Sequence, residues 1–152
     1  MQTKILFADA DDSVRKMVTR VLQSSGYAVI ATADAAEAAT VLDQTRPDLL
    51  LLDLPVPNRE GWAPLESLHR AALSAPVIVT TAWPIQKKPL VPVGIAAVME
   101  KPLDLSLLLQ TIARLIETRV PVEWKTTGFD CEVRSASGEE DAAAVHVPEI
   151  AY

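Results

Sequence analysis

Short apolar runs alternate with amphipathic stretches along most of this chain. The apolar runs predict β-strands at residues 4–8, 27–31, 48–53, 76–81 and 96–99. The third run contains four consecutive leucines, 49–52. An unbroken apolar run of this length is typical of a strand that is buried on both faces of a parallel sheet.

Between the apolar runs, hydrophobic residues recur at the three- and four-residue spacing of amphipathic helices. Asp11 and Asp34 stand where helix-capping residues are favoured, so we expect helices to begin just after them. Further helical stripes are Trp62, Leu65, Leu68, Ala72 and then Leu105, Leu108, Leu109, Ile112, Leu115, Ile116. Prolines at 84, 89 and 92 predict that the helix before the fifth strand is shortened or irregular.

Alternation of strands and helices with short connections favours an α/β fold with one parallel sheet covered on both faces. The chain has 152 residues, enough for one domain with a sizeable core. Its net charge of −6 argues against a nucleic-acid partner, because such proteins concentrate Lys and Arg. The single Cys131 excludes an internal disulfide. No apolar run is long enough to span a bilayer, so the sequence predicts no membrane contact and a cytoplasmic location.

The composition changes after Arg119. Residues 120–152 carry seven acidic side chains against two basic ones, and no helical stripe emerges. We therefore divide the chain into a domain, 1–119, and an acidic C-terminal extension, 120–152, that is partly disordered or docked. A homodimer through the last helix or this extension is a further hypothesis.

The candidate chemistry lies where the predicted strands end. Asp9 follows the first strand, Asp53 the third, Thr81 closes the fourth and Lys101 follows the fifth. In a sheet of order 2-1-3-4-5 the first and third strands are neighbours at the point where the winding reverses, and ligands bind there. Two carboxylates can hold Mg²⁺, and a carboxylate can attack phosphorus to give an acyl phosphate. The set therefore favours capture of a phosphoryl group by Asp53.

In this order the motifs resemble the receiver domain of two-component response regulators, which has a flavodoxin-like doubly wound five-stranded parallel sheet. The similarity covers residues 4 to about 118. Its motifs are the opening strand with its acidic turn, the leucine strand followed by Pro57 and Gly61, the fourth strand ending Thr80-Thr81-Ala82, and Gly94 before Lys101-Pro102. The family has a cis-proline after this lysine.

The resemblance implies that a histidine kinase or phosphotransfer protein phosphorylates Asp53 and that the signal passes to a downstream protein target. It implies that Thr81 contacts the phosphoryl group and that Lys101 pairs with it. Mg²⁺ would be held by Asp53, by Asp9 through a water, and by the backbone carbonyl of Pro55. The resemblance does not imply an enzyme in the usual sense, since the domain carries out only its own phosphorylation and dephosphorylation.

Two positions and one segment depart from the family pattern. Ala10 stands where the family has a second acid that binds Mg²⁺, so we expect weakened metal binding, with Asp11 as a further candidate ligand. Val98 replaces the aromatic residue expected shortly before the lysine, so rotation of a ring there cannot be the signal. The proline-rich segment 83–93 stands where the family has its fourth helix.

Other functions fit parts of the pattern. A pseudo-receiver would keep the fold as a protein-binding module without phosphorylation. Asp9-Ala10-Asp11 also resembles the Asp-x-Asp of haloacid-dehalogenase-like phosphatases, with Asp9 as nucleophile, although the Gly-Thr that should follow and a cap domain are absent. A flavodoxin is less favoured because the first loop lacks a glycine- and hydroxyl-rich phosphate cradle.

Overall fold

The computed structural model describes residues 1–54, 75–82 and 95–118, together with the backbone of 145–146. The predicted helix around Trp62 and the proline-rich segment 83–93 lie outside the described residues, as does most of the extension. The strands are β1 (Lys4–Ala8), β2 (Ala28–Thr32), β3 (Leu49–Asp53), β4 (Val77–Thr81), β5 (Ile95–Glu100) and β6 (Val145–His146). The helices are α1 (Asp12–Ser24), α2 (Ala35–Thr45) and α3 (Leu105–Thr118).

The sheet has the order β2-β1-β3-β4-β5-β6. The first five strands run parallel, which confirms the predicted fold and the order 2-1-3-4-5. Strand β6 is an addition that the sequence did not predict, and it pairs antiparallel with the outer edge of β5.

Alternate side chains of the central strands enter two separate cores, one on each face of the sheet. On one face, Leu50 and Leu52 of β3 pack in a cluster with Leu42 of α2. On the other, Leu49 and Leu51 belong to a cluster that α1 and α3 cover. All four leucines are fully buried, so the prediction of a strand buried on both faces is confirmed.

Side-chain caps fix the beginnings of the helices. Asp11 caps α1 by accepting hydrogen bonds from the amides of Ser13 and Val14, and Asp34 caps α2 by accepting one from Glu37. Each cap satisfies amides that the helix itself leaves free, and its negative charge suits the helix dipole. The caps therefore set where the chain turns from β1 and β2 into the helices that follow.

Candidate functional site

Three of the four predicted site residues meet at the carboxyl-end edge of the sheet. Asp9 directly follows β1, Asp53 ends β3 and Lys101 directly follows β5. The register pairs Ala8 with Leu52, so the ends of the two neighbouring strands lie level and their following side chains lie close together. The Lys101–Pro102 peptide bond is cis, as the resemblance implied.

The Lys101 ammonium is shared by the two carboxylates. Its Nζ lies 3.0 Å from Asp9 Oδ2 and 2.9 Å from Asp53 Oδ1. The Asp9 side chain is 1% exposed, that of Asp53 15% and that of Lys101 21%. Charges buried to this extent are screened far less by salt than surface pairs are. The contact joins side chains at the carboxyl ends of β1, β3 and β5, although β4 lies between β3 and β5.

The second oxygen of Asp9 is also engaged. Asp9 Oδ1 accepts a hydrogen bond from the Asp11 amide at 2.8 Å. The Arg15 guanidinium donates through Nη1 to the Asp9 carbonyl at 2.7 Å and through Nη2 to Asp12 Oδ1 at 2.8 Å. Through these two hydrogen bonds, Arg15 links the backbone at Asp9 to Asp12 in the first turn of α1. Sequence reasoning missed this contact, and its signal was the three-residue spacing of Asp12 and Arg15 on a helix.

The hydroxyl of Thr80 donates to Asp53 Oδ1 at 3.3 Å. The ladder pairs Asp53 with Thr80, which places their side chains on the same face of the sheet. Thr80 was not among the predicted site residues. Thr81, which was, is fully buried at the end of β4, and its carbonyl accepts a hydrogen bond from the Lys101 amide at 2.7 Å. The predicted role of the Thr81 hydroxyl stays a prediction.

Burial is the largest influence on the pKa of Asp53 and raises it. The hydrogen bond from Lys101 acts in the opposite direction, and the Asp9 charge adds to the rise, so that the pKa stays above its ordinary value. For Lys101, burial alone would lower the pKa, but the hydrogen bonds to Asp53 and Asp9, together with the negative charges of both, outweigh burial and raise the pKa. The lysine is therefore held as a cation beside a carboxylate that ionises with some difficulty.

The donors for a metal ion are fewer than in the family pattern. Ala10 offers no carboxylate, and Asp11 uses Oδ1 to cap α1. Within the part of the chain that the structure describes, no group of three or more His, Cys, Asp or Glu side chains is placed to hold a metal. Asp9 and Asp53 both contact the Lys101 ammonium, and carboxylate oxygens such as theirs are hard ligands of the kind that Mg²⁺ takes. Pro55 lies outside the described residues.

A sequence profile described as the response regulator receiver domain matches residues 5–113. The chain belongs to the response regulator receiver family. The matched region holds β2 to β5, all of β1 except Lys4, and the cluster of Asp9, Asp53 and Lys101. The phosphatase and flavodoxin alternatives therefore have no support.

Two curated relatives each match about half of this receiver chain. The DNA-binding response regulator MtrA of Mycolicibacterium smegmatis is 37% identical over 82 residues, which cover 54% of this chain and 36% of the relative. The alkaline phosphatase synthesis transcriptional regulatory protein PhoP of Bacillus subtilis is 33% identical over 82 residues, which cover 54% of this chain and 34% of the relative. The match thus spans about a third of the length of each relative.

Solved structures agree with this receiver fold. The chemotaxis response regulator CheY4 of Vibrio cholerae superimposes with a TM-score of 0.66 at 28% identity, covering 76% of this chain and 99% of that one. A CheY-like receiver domain of Methanospirillum hungatei has a TM-score of 0.66 at 23% identity and covers 78% and 97% of the two chains, a likeness that shows the fold alone. Among the described helices, none is both long and apolar enough to cross a membrane.

Proposed function

We propose that this receiver is phosphorylated on Asp53 by a histidine kinase or phosphotransfer protein in the cytoplasm and signals through contacts with a downstream protein. Residues 1–119 would form the receiver and 120–152 an accessory extension. The observation that carries the proposal is the Lys101 ammonium held between Asp9 and Asp53. It supplies a fixed positive charge at the place where a phosphoryl group on Asp53 would bring negative charge.

The chemistry would be one displacement at phosphorus. An oxygen of the ionised Asp53 attacks the phosphorus of a phosphohistidine, the phosphorus–nitrogen bond breaks, and the electron pair returns to the imidazole. The raised pKa of Lys101 keeps its ammonium protonated, so that it can pair with the incoming phosphoryl oxygens. The hydroxyl of Thr80 lies on the same carboxylate, and Thr81 remains the second hydroxyl candidate.

Mg²⁺ would be held by Asp9 and Asp53, with the Pro55 carbonyl as the third protein ligand, and would neutralise charge on the phosphoryl oxygens. Two observations favour weakened metal binding and weakened phosphotransfer. Ala10 removes one carboxylate, and the capping hydrogen bonds of Asp11 hold its Oδ1 on the α1 amides. These observations also favour the second candidate, a pseudo-receiver that binds proteins without phosphorylation.

A phosphodonor assay separates the two candidates. The full chain is incubated with acetyl phosphate and Mg²⁺, and the mass of the intact protein reports the phosphoryl group. We expect slow, partial labelling of the wild type, none of Asp53→Asn, and faster labelling of Ala10→Asp, which restores the second acid. Labelling of Ala10→Asp alone would favour the pseudo-receiver, whereas labelling that persists in Asp53→Asn would overturn the assignment of the acceptor.

Fast stoichiometric labelling of the wild type would overturn the weakened chemistry while leaving the receiver function intact. Calorimetric titration with Mg²⁺ gives an independent measure, and we expect Ala10→Asp to bind about tenfold more tightly, since added ligand charge raises the affinity for hard cations.

Partners beyond the kinase remain part of the proposal. The expectation that the chain has no nucleic-acid partner rests on its acidic composition, and the comparisons do not support it, because MtrA is named a DNA-binding response regulator. The matched region covers 36% of that relative. We propose no enzymatic activity other than the self-directed chemistry at Asp53.

A further inference from the structure

The outer edge of β5 is covered by a short strand from the C-terminal extension. Strand β6 runs antiparallel to β5, with Val98 opposite His146 and Met99 opposite Val145. Strand β5 spans six residues, Ile95–Glu100, and this ladder engages two of them. A ladder of two residue pairs has few hydrogen bonds, each of modest net strength. The fraction of molecules in which β6 is paired with β5 can therefore respond to small changes in β5.

The covered part of β5 lies next to the candidate site along the chain. Lys101 follows Met99 by two residues, its amide is bonded to Thr81, and its ammonium holds Asp9 and Asp53. Val98 and Met99 are fully buried in the two opposite cores. Because packed interiors transmit strain, a shift of Lys101 alters the strand end on which β6 lies.

We propose that the outer edge of β5 is an interaction surface whose occupant is the chain's own Val145–His146 strand, and that its occupancy is coupled through Lys101 to the charge on Asp53. The strand is tethered to α3 through residues 119–144. Pairing of β6 with β5 of the same chain is intramolecular, and an effective concentration of about a millimolar favours it over pairing with a second copy at micromolar concentrations.

The direction of the coupling between the charge on Asp53 and the pairing of β6 follows from the contacts of Lys101. When Asp53 carries a bound anion, Lys101 has additional acceptors at the end of β3, β5 is held more firmly, and β6 pairs more often. When Asp53 is neutral, Lys101 loses one of its two charged partners and β6 pairs less often. The part of the inference that concerns an anion on Asp53 rests on the proposed function, and the neutral case does not.

Hydrogen exchange followed by NMR on the full chain tests both parts. The β6 pairing is broken by the double substitution Val145→Pro and His146→Pro, because proline has no amide hydrogen to donate. Ala136→Pro, elsewhere in the extension, is the matched control. We expect the double variant to lose protection along the outer edge of β5 about tenfold and the control to retain it. Equal protection in the two variants would overturn the interaction surface.

The coupling is measured at whichever of the Val145 and His146 amides faces β5, because hydrogen-bonded and non-hydrogen-bonded pairs alternate along an antiparallel ladder. We expect beryllofluoride with Mg²⁺ to raise the protection of this amide about fivefold and Asp53→Asn to lower it about fivefold, the lower range of coupling between sites. If beryllofluoride binds and this protection does not change, the coupling is overturned and the proposed function stands. If beryllofluoride does not bind but Asp53→Asn lowers protection, the coupling stands and the phosphorylation proposal fails. Protection that rises with protein concentration would overturn pairing within one chain.

Discussion

Replacement of Lys101 by methionine removes the cation that Asp9 and Asp53 share and keeps a side chain of similar length. Asp9 is 1% exposed in the native structure, and in the variant its Oδ2 loses a partner that lies 3.0 Å away. Removing one member of a buried ion pair costs about 3–5 kcal/mol. Since Lys101 is 21% exposed and water can partly replace it, we expect the lower end, about 3 kcal/mol at pH 7.

Urea unfolding followed by circular dichroism measures this loss, with an unchanged m-value confirming that the unfolded state is unaffected. Lys16→Met is a matched control, because Lys16 also pairs with an aspartate, at 2.7 Å from Asp12, but both side chains are exposed, 69% and 59%. Exposed pairs contribute about 0–1 kcal/mol. A Lys101→Met variant that loses no more stability than Lys16→Met would refute the reasoning from burial.

The loss of stability in Lys101→Met also depends on pH. The pKa of Lys101 is raised, so its contribution is complete below 10.5, its ordinary value, and is lost as the pH rises through the folded value. In Lys101→Met, Asp53 loses the hydrogen bond and the charge that lower its pKa, so acidification that protonates Asp53 restores stability. We expect the difference in unfolding free energy between the variant and the wild type to shrink as the pH falls from 7 toward 3.8, the ordinary pKa of Asp53, and a constant difference would contradict an electrostatic cause.

Three further variants extend these tests. Asp53→Asn removes a carboxylate whose pKa is raised, so the stability difference should move in favour of the variant as the pH rises above 3.8, measured by urea titration at several pH values. Asp11→Ala should cost about 1 kcal/mol through loss of the α1 cap and leave the calorimetric Mg²⁺ affinity unchanged; a loss of affinity would make Asp11 a ligand. Leu51→Ala, at a fully buried position, should cost about 2–5 kcal/mol by urea unfolding, and a cost below 1 kcal/mol would contradict the two-sided burial of β3.

Most of the fold follows from the sequence because each element has a strong local signal. Strand β1 has its predicted bounds, and β3 differs by one residue. The meeting of Asp9, Asp53 and Lys101 also follows, since parallel strands end at one edge and the strand order determines which ends are neighbours. The assignment of chemical roles within that cluster is still a prediction.

The details that the sequence did not predict depend on tertiary context. Thr80 and Thr81 are chemically identical neighbours, and only the register that pairs Asp53 with Thr80 brings that hydroxyl to the carboxylate. A two-residue strand such as β6 is too short for an alternating pattern to emerge from the surrounding acidic sequence. Whether Asp11 caps a helix or faces a metal depends on the direction of one side chain, which spacing alone does not determine.

The shared ammonium also bears on the order in which the chain folds. Lys101 and Asp9 are 92 positions apart, so their contact closes one of the longest loops in the described structure and forms after β5 has docked. Contacts that form late are absent from the transition state, and their loss speeds unfolding more than it slows folding. In stopped-flow measurements, Lys101→Met should therefore raise the unfolding rate by about a hundredfold for a 3 kcal/mol loss and leave the refolding rate nearly unchanged. The Lys101 ammonium, whose proposed role is to pair with a phosphoryl group, would then also slow the unfolding of the sheet.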